Sequence, residues 1–312
     1  MPYRHISVMP EETVEMLNCR PGKIYVDGTL GGSGHAGLIL ERITPGGTLI
    51  GIDQDMDAIQ NAKEVLSPFQ DHVHLVHDNF VNLKRILAQF DISVVDGILL
   101  DLGLSLNQIE NSGRGFSFMR DEPLDMRMNV TSSTTAEDIV NRFDEKALAT
   151  LFRKNSDERW ARPIARKIVK ERNRRSIRSS KQLADIVCSV VPRKRKPGRR
   201  IHPATKVFMA LRIAVNRELE VLETFTETAV EMLNSGGRLC ILSFHSLEDR
   251  IVKHSFKRLE KGCICPSDFP QCNCGRKKLV RVLTPKALKP SDREIAENPL
   301  SRNTRLRVVE KT

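Results

Sequence analysis

Four aspartates stand at the same kind of place in this chain. Asp27, Asp53, Asp78 and Asp101 each close, or follow within two residues, a short apolar run: Ile24 to Val26, Thr48 to Ile52, Val73 to Val76 and the segment Asp96 to Asp101. Between the first two acids lie Gly28, Gly31, Gly32 and Gly34, then a run from Ala36 to Ile43 that reads as helix, broken by Pro45-Gly46-Gly47. Glycine has no Cβ, so a loop rich in it lets the backbone approach a ligand closely. An ionised carboxylate only accepts hydrogen bonds, and one at the tip of the second strand can take both hydroxyls of a ribose. Four such acids suit a ligand with a ribose, an amino group and a cationic centre. S-adenosylmethionine has all three, whereas so much negative charge would repel the pyrophosphate of a dinucleotide. The glycine loop alone discriminates poorly, because Gly32-Ser33-Gly34-His35-Ala36-Gly37 also fits the G-x-G-x-x-G dinucleotide pattern. In that pattern the glycines follow the strand directly; here Asp27 ends the strand and four residues intervene before Gly32. Any one of these acids would also serve as a cap at a strand-helix turn; it is the set that argues for a ligand. Phe80 is either a platform for adenine or a core residue, and His35, at the start of the helical run, either shapes the turn or takes part in chemistry.

The elements that must hold these acids alternate β, α, β, α from Ile24 to Asp101. That rhythm predicts a doubly wound α/β sheet, parallel with right-handed crossovers. Gly97-Ile-Leu-Leu100 suits a strand covered on both faces. A helix from Pro10 to Leu17 precedes the first strand. After Asp101 the rhythm stops: residues 102 to 130 are rich in Gly, Ser, Asn and charge, and 135 to 215 read as helices broken between Pro192 and Pro203. The strand pattern returns at Gly236 to Ser243, followed by a helix from Leu247 to Glu260 and two closing strands, Leu279 to Leu283 and Thr304 to Val309. The expectation is a sheet domain in two parts, 1–110 and 214–312, with an all-helical substrate domain, 111–213, inserted between them.

Charge is divided along the same lines. The segment from Thr150 to Asn216 carries 20 Lys/Arg and 4 Asp/Glu, a balance of +16 in a chain whose net charge is +11, so the remainder is about −5. Charge gathered in one segment is the footprint of a surface for a polyanion, because self-repulsion of this size is unfavourable without a partner. The alternative is a solvated helical face. Hydrophobic residues make up 40% of 312, enough for a packed core, and no apolar run reaches the roughly 18 residues of a membrane span. The opening Met1-Pro-Tyr-Arg-His does not read as a secretion signal, which argues for the cytoplasm and against a disulfide framework among seven cysteines.

Several stretches resemble the bacterial small-subunit (16S) ribosomal RNA cytosine-N4 methyltransferases, the MraW/RsmH family. They are Asp27-Gly-Thr-Leu-Gly-Gly-Ser-Gly-His35, Gly97-Ile-Leu-Leu-Asp-Leu-Gly103, Arg114-Gly-Phe-Ser-Phe-Met-Arg-Asp121, Pro123-Leu-Asp-Met-Arg-Met128, His202-Pro-Ala-Thr205, Ser243-Phe-His-Ser-Leu-Glu-Asp-Arg-Ile-Val-Lys253 and Glu297-Asn-Pro299. The resemblance covers almost the whole chain. It implies a class I S-adenosylmethionine-dependent methyltransferase, Rossmann-like, with an inserted helical domain. The implied target is a cytosine in the decoding centre, the P-site region of 16S rRNA, in free RNA or the small subunit. By position, the family's donor-binding residues fall on Ser33, Gly34, His35, Asp53, Phe80, Asp101 and Gln108. The family commonly reads Asp-Leu-Gly-Val-Ser-Ser-Pro-Gln where this chain has Asp101-Leu-Gly-Leu-Ser-Leu-Asn-Gln108, so the shape of that loop is open. Monomer and homodimer are both compatible with the sequence.

The exocyclic amine of cytosine is a poor nucleophile, and an acceptor beside its hydrogens would help it pyramidalise. Asp101 is the first candidate for that task, or else it holds the donor. A target base must leave its stack. Phe116 and Phe118 either grip it or anchor the insert's core, and Asp125, Arg127 and His202 are further candidates for base or phosphate contacts. A cytosine-C5 mechanism would need a nucleophilic cysteine, typically after proline, and no Pro-Cys pair occurs. A DNA amino-methyltransferase would carry an Asn/Asp/Ser-Pro-Pro-Tyr/Phe signature where Asp101-Leu-Gly-Leu stands. An RNA-binding assembly factor with a vestigial donor pocket is the reading from another class; the intact acids weigh against it. Cys263, Cys265, Cys272 and Cys274 suffice in number for a tetrahedral zinc site, but their spacing of one, six and one intervening residues departs from the usual C-x2-C pairs, so zinc is not the favoured reading.

Overall fold

The computed structural model describes residues 7–192, 202–261, 265, 271 and 274–312. The basic run Arg193 to Arg200, the residues His5 and Ile6 ahead of the first helix, and Cys263 and Cys272 lie outside the described residues. The chain divides into two compact units, one formed by residues up to Gly103 and from Leu219 onward, the other by Leu104–Glu218.

The first unit begins with helix α1 (Pro10–Leu17) and strand β1 (Ile24–Asp27). It continues through α2 (Gly34–Ile43), β2 (Thr48–Asp53), α3 (Met56–Val65), β3 (Val73–His77), α4 (Leu83–Ala88) and β4 (Val95–Asp101). Four-residue and six-residue apolar runs become strands here because both faces of the sheet are covered. Tyr25, Leu49, Leu99 and Cys240 pack on the face carrying α1, α2 and α3, while Val26, Ile50, Ile98 and Ile241 pack on the other with α4. Successive side chains in a strand point to opposite faces, so a strand buried on both sides shows no polar alternation.

The second unit is helical: α5 (Leu106–Glu110), α6 (Ala136–Arg142), α7 (Glu145–Ser156), α8 (Ala161–Arg172), α9 (Ser180–Val190) and α10 (Thr205–Asn216). Its core is built from Phe152, Ile164, Ile168, Leu183, Val187, Phe208 and Leu211. Helix α11 (Glu218–Glu231) returns the chain to the first unit. There β5 (Leu233–Ser243), α12 (Ser246–Lys261), β6 (Val280–Val282), α13 (Asp292–Glu297) and β7 (Arg305–Lys311) complete the sheet.

The strand order is β3-β2-β1-β4-β5-β7-β6. Strands β1 to β5 are parallel, and β7 runs antiparallel to both β5 and β6. The order turns around at β1, which has β2 on one side and β4 on the other. The crevice beyond the carboxyl ends of strands at such a point is where open α/β sheets take their ligands. Among the described residues no helix is long and apolar enough to cross a membrane.

Candidate active site

Asp27, Asp53 and Asp101 are the last residues of β1, β2 and β4, and Asp78 lies just past β3. The loop after β1 is stitched to both neighbouring strands. Gly28 N–H donates to Leu99 O at 2.9 Å, Leu30 N–H donates to Ile52 O at 3.2 Å, and the Asp101 N–H donates to Thr29 Oγ1 at 2.6 Å. Gly31 N–H donates to Asp53 Oδ2 at 2.9 Å, and Asp55 N–H to Asp53 Oδ1 at 2.8 Å. Each carboxylate oxygen still has a lone pair free. Burial pushes the Asp53 carboxyl up to about 7 despite those two hydrogen bonds. Burial likewise pushes Asp27 up to about 6, opposed by the nearby His35 and the Thr29 N–H.

Ser33 opens α2 in the left-handed region, at φ 65°. Its Oγ is buried with no hydrogen-bond partner, as is Asp101 Oδ1. Such orphans are uncommon in native proteins and call for an explanation. His35 is buried beside Asp101. Its Nε2 is 3.0 Å from Val8 O, and its Nδ1 is 3.4 Å from Asp101 Oδ2. A carbonyl only accepts, so Nε2 carries a proton; the carboxylate favours a second proton on Nδ1. Burial alone would lower the His35 pKa, but the hydrogen bond and charge of Asp101, with Asp27 behind, turn the net shift upward. His35 Nδ1 thus holds one oxygen of Asp101, and the other is without a partner.

The glycine at 34 has a specific cause. A Cβ there would collide with Ser7 Oγ. The close approach at this position is therefore made by the chain's own segment Ser7–Met9, which His35 holds through Val8 and Glu294 holds by accepting from Met9 N–H at 2.7 Å. Spacing in the sequence could not have shown that.

The fourth acid differs from the other three. Asp78 is ion-paired with Arg85 and accepts from Asn79 N–H and Asn82 Nδ2, so its own loop consumes it. Phe80 is half-buried, edge-on to Phe225 at 4.9 Å between centroids, and its Cβ lies 3.2 Å from where Gly28 would carry one.

The stretch Ser243 to Lys253 takes a structural part. His245 caps α12: Glu248 N–H donates to its Nδ1 at 3.4 Å, while Glu248 Oε2 accepts from Phe244 N–H at 2.8 Å. Phe244 packs beside Gly103. Asp249 is buried and takes both Arg305 and Arg307 from β7, whose hydrogen bonds hold its carboxyl below the usual range in spite of burial. Through Asp249 the motif ties α12 to β7, whose Arg305 is paired with Ser243 at the tip of β5.

Gln108, Phe116, Phe118, Asp125, Arg127 and His202 lie in the helical unit. Gln108 is buried at the third position of α5, where its Oε1 accepts from Ser105 N–H in a capping box. Phe116 is buried in the unit's core beneath Arg114, whose guanidinium carbon is 5.5 Å from the ring centre. Phe118 stacks on His202, 4.4 Å between centroids and 13° from parallel, and meets Phe208 edge-on. Arg127 grips Asp125 through two bonds of 2.7 Å and also donates to Val130 O and Ser132 O, holding its own loop together. His202 Nδ1 accepts from Ala204 N–H, with Cys188 Sγ 3.8 Å from its Nε2. Cys265 and Cys274 are half-buried. Among the described residues no three His, Cys, Asp or Glu side chains converge as a metal site would need.

Strand order, an antiparallel β7 and an acid-tipped glycine crevice at the switch point define a class I methyltransferase, a class whose methyl donor is S-adenosylmethionine. The profile of the MraW methylase family matches residues 2–312, and the chain belongs to that family. It is 52% identical over 311 residues to the ribosomal RNA small subunit methyltransferase H of Desulfosudis oleivorans, covering 100% of both chains. It is 53% identical over 309 residues to the protein of the same name from Desulforapulum autotrophicum, covering 99% of each.

Proposed function

We propose that this chain methylates the exocyclic N4 of a cytosine in the decoding centre of small-subunit ribosomal RNA. Transfer is direct and in line, with no covalent intermediate on the protein. S-adenosylmethionine supplies an electrophilic methyl on a sulfonium. Asp53 takes the ribose hydroxyls with its remaining lone pairs. Ser33, Gly34 and His35 line the methionine end and Phe80 the adenine. The fit rests on two buried orphan oxygens, Ser33 Oγ and Asp101 Oδ1, in a loop whose carboxylates suit a cationic nucleoside.

The observation that carries the reading is Asp101 at the tip of β4, one oxygen held by the His35 imidazole and the other without a partner. An acceptor of this kind can take an N–H of the cytosine amine as its lone pair turns toward the methyl, and can stabilise the cation formed at nitrogen. Because His35 restrains it, Asp101 is positioned before the substrate arrives, which is how orientation lowers a barrier. The names of the relatives support ribosomal RNA as the acceptor, as does the charge of the helical unit. The test is nucleoside mass spectrometry of 16S rRNA from cells lacking this protein. One N4-methylated cytidine should be missing, and should return with the wild-type gene but not with Asp101→Ala. A complete set of methylated cytidines in those cells would refute the reading.

A further inference from the structure

Helix α8 buries Ala161, Ile164, Ala165 and Ile168 in the core of the helical unit and turns Arg162, Arg166 and Lys170 to solvent. These three cations follow one another at intervals of four residues, and Arg174 continues the interval beyond the helix. Four residues of α-helix rise about 6 Å, close to the step between successive phosphates along a nucleic acid strand. Like charges at i, i+4 repel one another along a helix. Little nearby offsets them: Arg166 lies 3.5 Å from the half-buried Glu145 and Arg174 lies 3.7 Å from Glu171, whose nearer partner is Lys167 at 2.8 Å. Arg162 and Lys170 have no ionic partner among the described residues. Ahead of the helix come Arg153, Lys154 and Arg159, all exposed, and Trp160, the only tryptophan of the chain, 42% exposed.

We infer that the exposed edge of α8 is a track for the phosphate backbone of one RNA strand, with Arg162, Arg166 and Lys170 each meeting a phosphate and Trp160 stacking on a base at its end. The inference rests on ribosomal RNA being the substrate, and names the surface that holds it. A row of cations at backbone spacing carries no base-reading geometry, so the track positions the strand and contributes affinity without sequence choice. Exposed tryptophan beside a cationic row is the arrangement by which proteins hold unpaired nucleotides.

The test uses the full-length protein and a small-subunit ribosomal RNA transcript, with binding read from quenching of Trp160 fluorescence and, independently, by filter retention. The triple variant Arg162→Gln, Arg166→Gln, Lys170→Gln should bind the transcript at least tenfold more weakly at 150 mM salt. Its plot of log affinity against log salt should be shallower by about 2, the value for three fewer phosphate contacts on a single strand. Trp160→Phe should still bind with the wild-type salt slope, and S-adenosylmethionine affinity should be unchanged in both, which shows that they are folded. A salt slope unchanged in the triple variant overturns the inference, as does an equal loss from Lys253→Gln with Lys257→Gln on α12, or a wild type that does not bind the transcript. A track that fails while the cellular methyl is still traced to this protein sinks only the track; a track that holds with no missing methyl sinks only the proposed reaction.

Discussion

At the residue scale the site is a small electrostatic circuit. Burial lowers the pKa of His35 but the hydrogen bond and charge of Asp101 outweigh it, and burial raises Asp27 to about 6 and Asp53 to about 7. These two acids bind protons more tightly in the folded chain than in the unfolded one. Between the ordinary value of 3.8 and about 6 to 7, folding therefore takes up protons, and the stability they contribute falls as pH rises. The donor works the other way: a cation beside them, and hydroxyls donating to Asp53, favour the ionised forms. Calorimetry should show S-adenosylmethionine binding about tenfold more tightly at pH 8 than at pH 6, the change in ionised fraction for a group titrating near 7. Asp53→Asn should abolish that pH dependence along with most of the affinity. A flat profile in the wild type would remove Asp53 from the ribose. Asp101→Asn keeps the shape of the acceptor and loses its charge. Methyl transfer to small subunits should fall by roughly 10²-fold or more, the scale of a lost proton acceptor, with the fold intact by circular dichroism.

At the element scale, the sequence shows the strands and their tips plainly and conceals what the tips touch. Apolar runs ending in Asp, with glycines between, mark β1, β2 and β4 to within a residue because a strand buried on both faces leaves a continuous apolar signature. The partners of a side chain come from turns and from distant segments, and no spacing encodes them. Asp78 looks like Asp53 in the sequence, yet Arg85, two turns of chain later, neutralises it. No spacing shows that Gln108 caps α5 or that Arg127 fastens the loop 125–132. The side of Gly34 to which a Cβ would point is taken by Ser7. Gly34→Ala should weaken donor binding at least tenfold, and adding Ser7→Ala should recover part of it; no recovery would mean that the segment Ser7–Met9 is not the obstacle. Asp249→Ala leaves Arg307 buried without its carboxylate. Breaking a pair of this kind costs about 3–5 kcal/mol, which denaturant unfolding would register as a lower midpoint. An unchanged midpoint would show that the tie between α12 and β7 carries no weight.

At the scale of the whole molecule, charge and fold divide the labour in the same place. The acids that suit a cationic nucleoside stand on the strands of one unit, and the segment Thr150 to Asn216, with its balance of +16, belongs to the other. This was legible because composition survives without any knowledge of contacts: 20 cations against 4 acids between Thr150 and Asn216 describe a surface whatever its geometry. What composition could not show is which cations are free. Arg172 is spent on Val140 O and Phe143 O, and Arg212 on Glu218, whereas Arg162 and Lys170 face solvent.

The most direct test of the central claim is to incubate small subunits from cells lacking this protein with the purified enzyme and S-adenosylmethionine carrying a labelled methyl, then digest the RNA and weigh its nucleosides. The account predicts one labelled N4-methylcytidine per subunit with the wild type and almost none with Asp101→Asn. A label on carbon 5 of cytosine, on another base, or in equal amount with both proteins would contradict it.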